Sequence, residues 1–302
     1  MNLEHLKVFY TAATKKNFSE TAKVLHLSQP SVSLHIKHLE EYLHTTLFDR
    51  STKKMELTHA GTILFSFVEQ INQLVNQVEK EISLLSDSIH GNLRLGASLT
   101  IGEYLLPYFL GDFIKQYPNV HISLIVDNSK QIIEKLLDGT IDLGFIESAI
   151  PRKEFDSLPF LEDELVIISS ARHPHPYLAE DTIEPELLFS LPFIAREEGS
   201  GTRQVLESIL LKHHIEIDQL NIVMELEHTE SIKSAVESGL GVAIISKTTI
   251  QKELDLGLLK QTRLKGISLK RNFYLINKKQ IMSPASDAFK EMFISLMKGN
   301  VY

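Results

Sequence analysis

The chain has 302 residues, of which 43% are hydrophobic and 23% charged, values typical of a soluble globular protein with room for two or three domains. It contains no cysteine, which excludes disulfides, thiolate metal sites and cysteine nucleophiles. No apolar run reaches the roughly 18 residues of a membrane span, and residues 1–19 lack the apolar core of a signal peptide. We therefore expect a cytoplasmic protein with no membrane contact.

The net charge of -8 is unevenly distributed along the chain. Residues 1–57 hold eight lysines and arginines and six acidic residues, a net charge of +2, so the remainder carries -10. A positively charged N-terminal segment followed by a negatively charged remainder favours nucleic-acid contact near the N-terminus, although the positive excess is small.

Residues 3–43 predict three short helices. Leu6, Tyr10 and Ala13 mark the first helix. Ser19 is a candidate N-cap of the second, and Ser28 of the third, whose first turn holds Pro30. Apolar residues of the third helix recur at steps of four, three and four and form one narrow stripe: Val32, Ile36, Leu39 and Leu43.

The opposite face of the third helix carries Leu34 and Lys37, flanked by Ser33. Two short helices, a tight turn and a third helix with a small polar start are typical of a helix-turn-helix, whose second helix enters the major groove of DNA N-terminus first. An ordinary three-helix bundle would give the same pattern.

A short hairpin is predicted after Leu47 and Phe48, with a basic turn at residues 49–54. This describes a wing, in which Arg50, Lys53 and Lys54 would contact phosphates. A solvated basic loop is the alternative.

The run Ala22–Ser33, followed by Leu39–Glu41 and Leu47–Arg50, resembles the LysR-type transcriptional regulators. The resemblance implies that the recognition helix opens at residues 28–33 and that four of its residues approach bases or nearby backbone: Gln29, Pro30, Ser31 and Ser33. Three residues depart from the family pattern. The family often has a polar residue where Leu34 stands, glutamine where His35 stands, and glycine where His44 stands. Leu34 can pack on a thymine methyl group, and His35 is expected to be half-buried. The predicted DNA-contacting set is Ser28, Gln29, Pro30, Ser31, Ser33, Leu34, Lys37, Arg50, Lys53 and Lys54.

A long helix is predicted from its N-cap Thr58 to about His90. Its apolar residues alternate at steps of four and three: Leu64, Val68, Ile71, Val75, Val78, Ile82, Leu85 and Ile89. This 3.5-residue repeat favours pairing with a second helix over packing on its own domain, so the eight residues are the predicted dimerisation face. The LysR-type resemblance likewise implies a homodimer, with tetramers common.

From Gly91, which is expected to end the long helix, strand-like and helical runs alternate. This alternation predicts two α/β lobes with mainly parallel sheets and a cleft between them. Three strand ends lead into helices through hydroxyl-bearing residues: Ser98–Gly102, Arg196–Arg203 and His228–Ser231. Each suits a small carboxylate or oxyanion, although Ser and Thr are also ordinary N-caps.

These stretches also resemble the LysR-type effector domain, a relative of the periplasmic binding proteins. The resemblance implies effector contacts by Ser98, Thr100, Ser200 and Thr202, with Glu147 lining the cleft. A carboxylate beside an anion site would weaken binding unless it pairs with a cation or stands aside. Residues 199–203 resemble a branch that responds to sulfur metabolites or carbon-fixation intermediates. The predicted effector site is Ser98, Thr100, Ile101, Glu147, Gly199, Ser200, Thr202 and Thr229.

Enzyme and metal chemistry find little support. Residues 199–201 lack P-loop spacing, and no Gly-x-Ser-x-Gly elbow is present. The histidine pairs at 35/38 and 173/175 lack a third ligand. We predict no catalytic residue, metal or cofactor. A transport solute-binding protein would share the lobes but not residues 1–90, and a DNA-binding protein whose lobes serve only for assembly is a further alternative.

The predicted architecture is an all-α winged helix-turn-helix at 1–58, a linker and dimerisation helix at 59–90, and a two-lobed α/β effector domain at 91–302. Lobe 1 is expected at about 91–162 and 268–302, and lobe 2 at about 163–267. The predicted function is sequence-specific transcriptional regulation of LysR type, modulated by a small anionic metabolite between the lobes. The predicted partners are double-stranded DNA, further copies of this chain as a homodimer or homotetramer, the metabolite, and RNA polymerase.

Overall fold

The computed structural model describes residues 1–49, 55–83, 89–149, 153–178 and 180–298. The chain divides into two compact units, Met1–Asp87 with Gln280–Pro284, and Ser88–Lys279 with Ala285–Tyr302. None of the described helices has the length and apolar character needed to cross a membrane.

Among its described residues, the first unit contains four helices and a two-stranded antiparallel hairpin. They are α1 (Leu3–Lys15), α2 (Phe18–Val24), α3 (Gln29–Leu43), β1 (Phe48–Asp49), β2 (Glu56–Leu57) and α4 (His59–Ser83). Ser28 caps α3 and Thr58 caps α4, as predicted, because each hydroxyl accepts a backbone N–H of the first turn. The predicted cap Ser19 is wrong. Asn17 caps α2 instead, since its side-chain oxygen accepts the N–H of both Ser19 and Glu20.

The long helix α4 differs from the prediction at its C-terminal end. The described helix ends at Ser83, and Leu85 lies outside the described residues. Ile89 and His90 are not helical, so the extension to His90 is wrong. Gly91 does not end a helix: its φ of 118° is incompatible with helical geometry, and it opens the first strand of the second unit.

The apolar repeat of α4 also divides in a way that the periodicity did not predict. Val68 is completely buried in the core of the first unit, and Leu64 and Ile71 pack against the same core. The assignment of Val68 to an interchain face is therefore wrong, because the first half of α4 packs on α1 and the hairpin. Leu64 and Ile71 are half-buried, and their assignment stays a prediction. Val75 is half-buried, whereas Val78 and Ile82 are exposed.

The described part of the second unit contains ten strands: β3 (Gly91–Ala97), β4 (Val120–Val126), β5 (Leu143–Ile146), β6 (Phe155–Ser170), β7 (Thr182–Ile183), β8 (Pro192–Arg196), β9 (Asn221–Leu226), β10 (Ala243–Ser246), β11 (Leu259–Leu264) and β12 (Lys270–Lys278). Its α-helices are α5 (Leu99–Tyr104), α6 (Leu106–Gln116), α7 (Ser129–Leu137), α8 (Gly201–Lys212), α9 (Thr229–Glu237), α10 (Gln251–Asp255) and α11 (Pro284–Lys298). Short 3-10 turns lie at Pro176–Leu178, Pro185–Ser190, Ile217–Gln219 and Lys247–Thr249.

Eight strands form one sheet in the order β4-β3-β5-β12-β6-β11-β7, with β10 also paired to β6. Strands β8 and β9 form a separate parallel pair. The expectation of mainly parallel sheets is wrong for β6, β10, β11 and β12, which pair antiparallel. The reason is that β6 is one long strand serving both lobes. Its residues 155–164 pair with β12, and residues 165–170 pair with β10 and β11.

Lobe 1 is built on β3, β4 and β5, and its aromatic core joins α6, α11 and β5 through Phe109, Phe113, Phe145, Phe289 and Phe293. In lobe 2, aliphatic side chains fill clusters that include Ile167 and Leu210 in one and Ile232 and Ile245 in the other. Helices α5, α7, α8 and α9 each begin just after a strand ends. Their N-termini therefore define the positions of the predicted effector residues.

Candidate functional site

The N-terminal end of α3 presents a small polar surface. The Ser28 Oγ accepts the N–H of Ser31 at 3.2 Å, and the Gln29 Nε2 donates to the Ser33 Oγ at 2.9 Å. Gln29, Pro30, Leu34 and Lys37 are exposed, and Leu34 keeps 51% of its surface accessible. The predicted apolar stripe is confirmed, since Val32, Ile36 and Leu39 are each 0% exposed.

The predicted wing is present as the hairpin of β1 and β2, where Phe48 pairs with Leu57 and Asp49 with Glu56. Its proposed phosphate contacts, Arg50, Lys53 and Lys54, lie outside the described residues. The wing assignment of these three side chains stays a prediction.

His35 is half-buried, as predicted, and lies beside two other histidines. The ring centre of His5 is 5.1 Å from that of His35 and 5.9 Å from that of His38. Burial lowers the pKa of His5, and the two neighbouring rings lower it further. The cluster therefore packs α1 against α3 with His5 favoured in its neutral form.

On the lobe 1 side of the cleft, Ser98 and Thr100 lie at the start of α5 and are each 2% exposed. Ile101 is 0% exposed, so its side chain packs α5 onto the lobe. The Ser98 hydroxyl does not cap α5 and has no hydrogen-bond partner among the described residues. Ser129, at the start of α7, is 1% exposed and its hydroxyl is likewise without a described partner.

On the lobe 2 side, Ser200 caps α8 by accepting the N–H of Arg203 at 3.4 Å. Gly199 has a φ of 92°, a left-handed conformation that favours glycine, and its carbonyl accepts the backbone N–H of Lys130 from lobe 1 at 3.3 Å. Thr202 and Thr229 are each 2% exposed, at the starts of α8 and α9.

The starts of α7 and α8 meet at Gly201. A Cβ atom on Gly201 would lie 2.4 Å from the Ser129 Oγ and 2.9 Å from the Glu147 Cβ. Both distances are shorter than van der Waals contact, so only glycine permits this approach of the two lobes.

Glu147 and Arg271 form the centre of the cleft. The Arg271 Nη1 lies 2.7 Å from the Glu147 Oε2, and the Thr202 Oγ1 donates to the same oxygen at 2.6 Å. Both charged side chains are 2% exposed. Burial alone would raise the pKa of Glu147, but Arg271, Thr202 and Arg196 favour the carboxylate and hold its pKa at about 2. Glu147 thus has the cation that the sequence argument required.

Arg271 also joins the lobes to the strands between them. Its Nε donates to the Asp163 Oδ2 at 2.8 Å, and the Asp163 Oδ1 accepts from the Ser246 and Thr248 hydroxyls of lobe 2. The Arg271 Nη2 is buried and has no partner among the described residues. Strands β12 and β6 therefore carry a buried ion network through the cleft.

A second set of polar contacts connects the lobes at α5 and α9. The Tyr104 hydroxyl donates to Glu230, and the Lys233 Nζ lies 2.7 Å from Glu230 and 2.8 Å from Glu253. Burial alone would lower the pKa of Lys233, but its hydrogen bonds to Glu230 and Glu253 raise it above its usual range. Lys233 therefore stays cationic beneath the Tyr104 ring, 5.2 Å from its centre.

Sequence reasoning missed Ser129, Asp163, Arg271 and the pair Tyr104–Glu230. One feature of the sequence could have identified Asp163 and Arg271. Each is a charged residue beside a strand-forming apolar run, and buried charges need partners of opposite sign. Among the residues that the structure describes, no three His, Asp or Glu side chains are grouped to hold a metal ion.

A helix-turn-helix head followed by a two-lobed α/β domain with a polar cleft defines a ligand-responsive DNA-binding regulator. The family model "Bacterial regulatory helix-turn-helix protein, lysR family" matches residues 3–62, and "LysR substrate binding domain" matches residues 86–298. The chain belongs to the LysR family of transcriptional regulators. The predicted family, fold class and non-enzymatic function are confirmed.

Similar proteins agree with this membership. The chain is 38% identical over 293 residues to a probable RuBisCO transcriptional regulator of Nostoc sp., covering 96% of this chain and 86% of that protein. The regulatory domain of Synechocystis PCC6803 CcmR in complex with 2-PG has a TM-score of 0.64 and 28% identity, covering 70% of this chain and 99% of that one. A full-length OxyR variant from Pseudomonas aeruginosa has a TM-score of 0.70 and 22% identity, covering 99% and 95%. The named relatives are consistent with the predicted carbon-fixation branch.

Proposed function

We propose that this regulator reads DNA with the N-terminal end of α3 and responds to a small anionic metabolite held between its lobes. The observation that supports the effector site best is a set of buried donors, the Ser98 Oγ, Ser129 Oγ and Arg271 Nη2, without described partners. A buried donor without a partner destabilises the fold by about 1–3 kcal/mol. An anion with several oxygens would satisfy these groups, and the starts of α7 and α8 would favour its charge.

The class of effector follows from the donors and from the relatives. Hydroxyls with a guanidinium suit a carboxylate or a phosphate group. The CcmR regulatory domain is in complex with 2-PG, and the Nostoc relative is named a RuBisCO regulator. We propose a phosphorylated or carboxylated metabolite of carbon metabolism, acting as an effector and not as a resident cofactor.

A thermal-shift screen of small carboxylates and phosphates, including 2-phosphoglycolate, tests the effector site. A true effector raises the melting temperature in a concentration-dependent way, because it binds only the folded state. Ser129→Ala should remove most of this shift, whereas Ser66→Ala, an exposed serine on α4, should leave it unchanged. Equal shifts in both variants would contradict the site.

The DNA contacts are tested by gel-shift titration with operator and random duplexes. Gln29→Ala should weaken operator binding roughly 10- to 100-fold and leave random binding unchanged, if Gln29 contacts a base edge. Lys53→Ala should weaken both and reduce the salt slope by about one, as loss of a phosphate contact does. Lys115→Ala, in the second unit, is the control and should change neither.

Self-association is proposed through an exposed face of α4 that shares Val78 and Ile82 with the predicted repeat and adds Ile63, Phe67 and Leu74. Five large apolar residues on this helix are 48–60% exposed: Ile63, Phe67, Leu74, Val78 and Ile82. An exposed apolar stripe of this length is expected to be buried against another surface. The α4 of a second copy would supply an identical apolar stripe. A homodimer would present two α3 helices to successive half-sites of an operator, and association into a tetramer is a further step of the proposal.

Light scattering of the protein as it elutes from a size-exclusion column measures its mass in solution and so tests this interface. Leu74→Glu should convert the dimer to a monomer, because a carboxylate would be buried at the centre of the stripe. Glu69→Lys changes charge on the opposite face of α4 and should leave the dimer intact. If the Leu74→Glu variant stays dimeric, the interface lies elsewhere.

The final step of the proposal concerns transcription. The regulator acts in the cytoplasm, and the movement of its lobes on ligand binding alters its contact with RNA polymerase.

A further inference from the structure

Glu147 already binds two buried donors of the cleft, beside the unpartnered Arg271 Nη2. Its carboxylate receives the Thr202 hydroxyl at 2.6 Å and the Arg271 guanidinium at 2.7 Å. Both donors are buried, and the Arg271 Nη1 also donates to the Thr202 Oγ1 at 3.0 Å. These donors are the kind that recognise a carboxylate or phosphate, so Glu147 makes the contacts of a bound anion from within the chain.

The charges around Arg271 argue against adding a second anion while Glu147 stays in place. Arg271 already lies between two buried carboxylates, Glu147 and Asp163, each within 2.8 Å of a guanidinium nitrogen. Arg196, the other buried arginine of the cleft, is paired with Glu197 at 2.8 Å. These five side chains carry one negative charge in excess. A further anion on the Arg271 Nη2 would place three carboxyl or phosphate groups around one guanidinium.

The Glu147 contact also connects parts that can move. Glu147 follows β5 in lobe 1, whereas Thr202 lies in the first turn of α8 in lobe 2. Arg271 and Asp163 lie on β12 and β6, the antiparallel pair that passes between the lobes. Breaking the Glu147–Thr202 bond would therefore remove one contact between the lobes, with β6, β12, the Lys130–Gly199 hydrogen bond and the Tyr104–Glu230 pair left as connections.

We propose that Glu147 is an internal anion that holds the two lobes together, and that the effector acts by displacing it from Thr202 and Arg271. This inference rests on the proposed effector function and assigns the residue that couples ligand binding to lobe movement. Displacement requires an anion with at least the acceptor capacity of a carboxylate. The ligand can change the lobe angle only because it removes a contact present in one arrangement and absent in the other.

The first experiment measures the distance between the lobes and needs no effector. Because the sequence contains no cysteine, Glu134→Cys on α7 and Lys260→Cys on β11 can carry a pair of nitroxide labels in the full chain. Electron-electron double resonance, with labelled chain diluted in unlabelled chain, gives the intrachain distance. Glu147→Gln should lengthen and broaden the distribution. Glu164→Gln, which removes the carboxylate of the exposed Glu164–Arg263 pair, should match the wild type.

Thr202→Val tests the same proposal without removing the ion pair. It replaces Glu147→Gln if that variant does not fold. It removes the interlobe hydrogen bond and keeps Glu147 paired with Arg271. A wild-type distance distribution in Thr202→Val, or in a folded Glu147→Gln, overturns the proposal. Operator binding by these variants is a separate measurement, so failure of the internal anion and failure of the regulator function are distinguishable.

The second experiment measures competition by calorimetric titration of 2-phosphoglycolate. If Glu147 occupies the ligand's donors, Glu147→Gln should bind the probe about tenfold more tightly than the wild type, within the range of typical coupling between two conformations. Glu164→Gln should bind like the wild type. Equal or weaker binding by Glu147→Gln, or binding by none of the three proteins, overturns the displacement step.

Discussion

Replacing Arg271 by methionine should destabilise the second unit strongly. The guanidinium is 2% exposed and lies within 2.8 Å of carboxylate oxygens of Glu147 and Asp163. Methionine fills a similar volume but leaves two buried carboxylates without their cation. Breaking a buried ion pair by removing one partner costs about 3–5 kcal/mol. For a unit of this size, that corresponds to a fall in melting temperature of roughly 10 °C.

The pH dependence should change sign in this variant. In the wild type, the pKa of Glu147 is about 2 in the folded state against an ordinary 4.5. Its contribution, at most about 3 kcal/mol, is therefore present above pH 4.5 and lost as the pH falls toward 2. Without Arg271, burial raises the pKa of Glu147, and the folded state binds protons more readily than the unfolded one. The variant should then become more stable, relative to the wild type, as the pH falls from 7.5 to 5.

Scanning calorimetry of the full chain at pH 7.5 and pH 5 measures both effects, and hydrogen exchange of residues 155–170 assigns them to the second unit. Arg263→Met is the matched control, because Arg263 forms an exposed pair with Glu164 and its loss should cost less than about 1 kcal/mol. A loss below about 1 kcal/mol in Arg271→Met, or a loss that does not shrink at pH 5, would refute this account of the ion network.

Three further changes test other parts of the chain. His44 ends α3 at a φ of 51° and is exposed, so His44→Gly should stabilise the first unit by about 1 kcal/mol in thermal unfolding. A lower melting temperature would contradict a strained cap. Ser28→Ala should lower the free energy of unfolding of the same unit by about 1 kcal/mol in a urea titration. An unchanged urea midpoint would show that the cap is dispensable. Gly201→Ala should destabilise the second unit by about 1–3 kcal/mol, because its Cβ would lie 2.4 Å from the Ser129 Oγ. An unchanged melting temperature would mean that the lobes separate freely there.

The head could be predicted from the sequence because its information is local. The stripe of Val32, Ile36 and Leu39 follows the helical period, and Ser28 and Thr58 cap helices that begin at the next residue. The contiguous motif at residues 22–33 and the glycine-hydroxyl segment at 199–203 identified the family for the same reason. Local rules failed where two residues compete for one role, as at Ser19 and Asn17.

The cleft could not be predicted in this way, because its contacts join distant parts of the chain. Arg271 reaches Glu147 across 124 positions and Asp163 across 108, and no periodicity relates them. The antiparallel pairing of β6 with β12 brings these charges together, and the same pairing overturned the expected parallel sheet. The repeat on α4 shows the same limit, since periodicity identifies an apolar face but not which surface covers it. The sequence by itself thus determined the buried stripe of α3, the caps at Ser28 and Thr58, and the family. Tertiary structure alone decided which buried charges meet, because that depends on how strands far apart in the chain pair in space.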